Sequence, residues 1–117
     1  MKYFLLLLLP ASLNAALITE CGEYTAKGVV RAKEDGIKLI INEKTQSEYV
    51  ISMPRLEQGK IAGHIDRDVT VKLLLDKLDG QKGTTENIIS IDFRIPDPLK
   101  PGDTGFTLDK KTVCRKN

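Results

Sequence analysis

Apolar and polar residues alternate through most of this chain, and strict alternation places successive side chains on opposite faces of a strand. From Tyr24 onward, Tyr24, Ala26, Gly28, Val30 and Ala32 share one face. Thr25, Lys27, Arg31 and Lys33 share the other, and only Val29 is out of phase. The pattern predicts a first strand of about ten residues. Glu34-Asp35-Gly36 reads as a tight turn, the glycine supplying positive φ. Ile37, Leu39 and Ile41, with Lys38 and Asn42 facing away, predict a second strand. A polar turn over 43–47 and a short third strand over 48–53 follow. Residues 54–68 break the pattern, because Leu56, Ile61 and Ile65 are sparse. Gly59 and Gly63 would each cost about 1 kcal/mol inside a helix, so a short helix or irregular crossover is expected. Residues 69–75 predict a fourth strand, 79–83 a glycine-rich hairpin loop, and 87–95 a fifth strand. In that last strand Ile89, Ile91, Phe93 and Ile95 point one way and Ser90, Asp92 and Arg94 the other. The in-phase apolar positions predict a core of Val30, Leu39, Ile41, Val71, Leu73, Ile89, Ile91 and Phe93.

Two segments fall outside this alternation. Pro96, Pro98 and Pro101 remove backbone donors and favour an extended polyproline-like path. Residues 96–117 are therefore expected as a tail laid along the domain, outside the sheet, with Phe106 and Leu108 packing it down. At the other end, Met1-Lys2 is followed by an apolar run containing Leu5 to Leu9, then Pro10 and the small residues around Ala15. That layout is a secretory signal peptide over 1–15, too short for the roughly 20 residues of a membrane-spanning helix. Export to the periplasm or beyond is expected, with no membrane span.

Removing fifteen of 117 residues leaves 102, enough for one domain and too few for two. The loss of Lys2 from 18 basic residues leaves 17 against 16 acidic ones. Near-neutrality gives no electrostatic reason to expect a nucleic-acid partner. The two cysteines, Cys21 and Cys114, stand near opposite ends of the exported part. An oxidising compartment favours their pairing, which the chain-entropy model values at about 4–5 kcal/mol for a loop of this size. Lipidation of Cys21 is disfavoured because Glu20 precedes it where a lipoprotein signal wants a small residue.

Three strands, a crossover and two strands, with Gly28 inside a long first strand, resemble the OB-fold, a five-stranded Greek-key barrel. In that fold the first strand bends to serve both halves of the barrel, and a glycine eases the bend. The resemblance covers residues 24–95 and is closest to small exported bacterial OB-fold proteins. It implies an all-β barrel over 16–95, a proline-rich tail over 96–117, and a binding role. An immunoglobulin-like sandwich would want about seven strands.

Chemistry is sparse. His64 is the single histidine, and with Cys21 and Cys114 it lacks any local zinc-ligand spacing. Asp79-Gly80 with Glu86 mimics a calcium loop, but Leu75 and Lys77 occupy positions that need carboxylates. Gly59-Lys60 is followed by Ile61, where a phosphate loop needs Ser or Thr. Asp66, Asp68, Asp76, Asp79 and Asp92 read as strand edges and turns with nothing apolar around them to shift a pKa. No catalytic residue, metal or cofactor is expected, and the reading is a binding module for a protein or glycan. The alternatives are a single-stranded nucleic-acid binder, which would stack bases on exposed aromatics, and a carboxylate-based hydrolase. On the OB-fold resemblance the site falls on the outer face of strands two and three, at Lys38, Ile40, Glu48, Tyr49 and Val50. Ile40 and Val50 break the polar alternation and would form an apolar contact patch there, unless the proline tail covers it.

Overall fold

The computed structural model describes residues 18–92, 94, 96–97 and 104–115. Residues 1–17, with the leader that the sequence predicts, lie outside them, and so do Phe93, Ile95, Pro98 and Pro101 with the predictions made for these positions. Six strands and one helix follow in order: β1 (Gly22–Lys33), β2 (Gly36–Ile41), β3 (Tyr49–Ser52), α1 (Arg55–Ile61), β4 (Asp68–Asp79), β5 (Lys82–Asp92) and β6 (Phe106–Lys111). A 3-10 turn over Ala62–His64 extends α1. The fold is all-β, as the alternation predicts.

The sheet runs β2-β3-β5-β4-β1-β6, and β2 also pairs with β1. Five strands thus form a closed ring, β1-β2-β3-β5-β4, with β6 outside it. Every pairing is antiparallel except β3 with β5, which closes the ring through Val50↔Lys82, Ile51↔Gly83 and Ser52↔Thr84. β1 serves two neighbours along one edge: β6 over Gly22 to Ala26, and β2 over Val29 to Lys33. The changeover falls at Gly28, where a Cβ would stand 2.6 Å from the Ile40 carbonyl oxygen. Only glycine lets β2 come that close. Gly36, with φ of 130°, closes the β1–β2 hairpin as its sequence predicts.

The inward faces fill the ring with Tyr24, Ala26 and Val30 of β1, Leu39 and Ile41 of β2, and Tyr49 and Ile51 of β3. Val69, Val71, Leu73 and Leu75 of β4, Ile88 of β5, Ile61 of α1, and Ile18 and Met53 outside these elements complete the core. Each such aliphatic side chain contributes about 1.5–3 kcal/mol by leaving water. α1 lies against the open edge of β5. The Ile88 N–H donates to the Glu57 carboxylate at 2.7 Å, and the Lys60 ammonium donates to the Ile88 carbonyl at 3.1 Å. Two side chains thereby occupy backbone groups that a neighbouring strand would otherwise take, which protects a vulnerable edge.

Two expectations are corrected. In β5 the buried isoleucine is Ile88, Ile91 is partly buried, and Ile89 is 44% exposed. The cause is a bulge: Lys72 faces Ser90 while the next residue, Leu73, faces Ile88, so Ile89 has no opposite number. One extra residue reverses the phase. The tail is also not wholly outside the sheet. Residues Phe106–Lys111 form β6, and Phe106 meets Tyr24 edge to face at 6.1 Å. β6 has no proline, so nothing prevents its backbone from joining the ladder. Beyond it Cys114 is bonded to Cys21, their Cα atoms 5.2 Å apart.

Candidate functional site

Of the five residues the sequence proposes, Lys38, Ile40 and Val50 do share the outer face of β2 and β3, with Ile40 opposite Val50. Lys38 reaches across to the Ser52 hydroxyl at 2.9 Å and to Asp35 at 3.0 Å. Glu48 lies just before β3 and accepts from the Lys44 N–H at 2.8 Å, closing the β2–β3 turn. Tyr49 is the first correction at the site. It points inward, is fully buried, and donates to the Lys82 carbonyl at 2.8 Å, so it offers no ring to a ligand. Desolvation pushes its phenol up to about 12. Ile40 is the second, being only 2% exposed. An open apolar patch on β2 and β3 is therefore absent, although Val50 remains half-buried.

A groove lies one strand over. A cleft of about 550 Å³ opens on the outer face of β1, between the end of β2 and the start of β4. Val29, between Ile40 and Asp68 in the sheet, forms with Ile40 a narrow apolar floor. Lys27 stands at one end and Arg31 at the other. Arg31 donates two hydrogen bonds to Glu43, at 2.9 and 2.8 Å, and a third to Asp66 at 2.8 Å. This fork fixes both walls: Glu43 in the turn after β2, and Asp66 in the turn before β4. Asp66 has φ of 67° and donates its N–H to the Val30 carbonyl at 2.6 Å. Asp68 and Asp97 complete a rim of four carboxylates and two cations.

The β5–β6 connection borders the groove through Pro96 and Asp97. Its far end is fastened to groove residues. The Lys27 N–H donates to the Gly105 carbonyl at 2.7 Å, and the Asn42 amide donates to the Thr104 carbonyl at 2.6 Å. Sequence reasoning lists Asp66 and Asp68 but passes over Arg31, Glu43 and Asn42. Val29, out of phase in β1, is the signal that marks this face.

Hydrogen bonding from Arg31 holds the Glu43 carboxyl below the usual glutamate range, opposite to what a general acid needs. Among the described residues no group of three His, Cys, Asp or Glu side chains could hold a metal ion. Among them, too, no helix is long and apolar enough to cross a membrane. No family model, curated protein or solved structure matches this chain.

Proposed function

We propose that this protein is an exported, non-enzymatic binding module that takes a protein or glycan partner into the β1–β2 groove. The observation that carries the reading is the groove itself, an apolar floor whose charged walls are already set by the Arg31 fork. Preset walls reduce the ordering cost of binding. The ring order β1-β2-β3-β5-β4, with α1 between β3 and β4, supports an OB-fold-like Greek-key barrel. The leader-like sequence of residues 1–15 and the Cys21–Cys114 bond support export. Four carboxylates against two cations on the rim favour a neutral or cationic surface over phosphates.

The test is binding of the protein beginning at residue 16 to a glycan array and to fractionated envelope proteins, repeated with Asp68→Lys and Lys27→Glu. Both positions are on the rim, and a partner seated in the groove loses affinity about tenfold or more with either change. Unaltered affinity for any partner found rules the groove out. Hydrolysis of an array glycan that disappears in Asp68→Asn replaces binding with the carboxylate-hydrolase reading.

A further inference from the structure

We infer that Cys114 is a thiol–disulfide exchange site, attacked by the thiolate of a dithiol reductant, and that its reduction loosens the wall of the β1–β2 groove. The second half rests on the binding reading above.

The two sulfurs are not equivalent. Cys21 is buried at 1% exposure, whereas Cys114 is exposed. Cys114 also lines a second cleft, of about 360 Å³, at the far end of the ring. Lys77 and Lys82 line it as well, against the carboxylate of Asp79, together with Arg115, whose charge is taken by Asp76 and Glu86. The two lysines draw an incoming thiolate to Cys114 and stabilise the Cys114 thiolate released in the second step. The attacking sulfur bonds to Cys114 Sγ, and the Cys114–Cys21 bond breaks. Cys21 leaves as a thiolate and takes a proton from water. The second thiol of the reductant, deprotonated, then attacks its own sulfur in the mixed disulfide and releases Cys114. Two electrons pass to the cysteine pair, and the dithiol ends as a disulfide.

The release reaches the groove through β6. Past Leu108 the strand has little apolar hold, and Val113 is 91% exposed. What fastens its end, besides the disulfide, is polar. The Thr112 N–H donates to the Cys21 carbonyl at 3.0 Å, and the Arg115 N–H donates to the Asp76 carbonyl at 2.8 Å. The Arg115 side chain bridges Asp76, at 3.1 Å, and Glu86. Asp76 is buried where β4 carries an unpaired extra residue, and its Oδ1 has no protein partner. Arg115 is thus the countercharge of a buried carboxylate, kept in place by the neighbouring covalent bond. The other end of β6 adjoins Gly105 and Thr104, whose carbonyls hold Lys27 and Asn42 of the groove. One six-residue strand joins the reducible bond to the binding wall.

The experiment needs no ligand. Oxidised protein is treated with glutathione, quenched with iodoacetamide and mapped by mass spectrometry, which should find glutathione on Cys114 and the alkyl group on Cys21. The reverse labelling overturns the site. With dithiothreitol as the dithiol, Lys77→Glu with Lys82→Glu should slow reduction about tenfold, the lower end of electrostatic steering. Lys72→Glu, on the outer face of β4, should not, and equal rates for all overturn the role of the cleft. Amide exchange before and after reduction reads the coupling. Lys27 and β6 should lose protection about tenfold or more while Val30, Ile41 and Leu73 keep theirs, a sub-global opening. An unchanged Lys27 amide, or uniform loss across the ring, overturns the link to the groove. If the amides respond but affinity for a partner does not, the binding reading fails alone.

Discussion

Tyr49 shows how far a single residue can be read from its neighbours. Tyr49 and Val50 are adjacent in a strand, so they cannot both face solvent, and the pairing Ile41↔Tyr49 sends the ring inward. There its hydroxyl satisfies the Lys82 carbonyl. Tyr49→Phe leaves that carbonyl without its partner and should cost about 1–3 kcal/mol in a urea titration. Its phenol titrates near 10 when unfolded and is pushed up to about 12 when folded, so its contribution is complete below pH 10 and is lost as pH rises through 12. The wild type should lose stability across that window more steeply than Tyr49→Phe. Ile40 differs in kind. Alternation correctly puts it on the outer face, but alternation carries no information about what lies over that face. At 2% exposure, Ile40→Asp buries an unpaired charge and should destabilise by about 3 kcal/mol or more, read from the same titration.

At the scale of elements, β1 to β4 were legible because each alternates over most of its length, Val29 and Asp76 being local exceptions, and Glu34-Asp35-Gly36 named the hairpin between the first two. β5 was not. Its sequence alternates evenly only from Ile89 onward, the adjacent Ile88 and Ile89 leave two phases open, and the register against β4 decides for Ile88. The isoleucine pair marks the place where the phase changes, but it does not say which of the two faces inward. Ile88→Ala should therefore cost about 2–5 kcal/mol and Ile89→Ala at most about 0.5 kcal/mol, reversing the order that the sequence pattern implies. α1 owes its position less to helix propensity, with Gly59 inside it, than to Glu57. The Ile88 N–H first and Lys60 second hold the Glu57 carboxyl below its usual range. Its stabilising effect is present above pH 4.5 and is lost as pH falls through the lower folded value. Glu57→Ala should cost about 1–3 kcal/mol at neutral pH, and the gap from wild type should narrow in acid when both are titrated with urea.

For the whole molecule, the cysteine count pointed to a disulfide, and the Cys21–Cys114 bond agrees. The groove was hidden because its walls come from three connections distant in sequence, at Glu43, Asp66 and Asp97. The cross-link spans 93 positions, so Cys114→Ser should lower stability by about 4–5 kcal/mol, visible as a shifted midpoint in denaturant. The pairing of β1 with β6 also imposes an order in time. Thr25 and Asp109, 84 positions apart, share a hydrogen bond of 2.6 Å. The Gly22 to Ala26 edge is among the first parts of the domain to emerge from a ribosome or a translocation pore, yet its partner strand is among the last. Until β6 arrives, that edge is an open template for any passing strand. Assembly of this domain therefore waits on its own far end, and a chain stalled before Phe106 should be the species that chaperones and proteases meet.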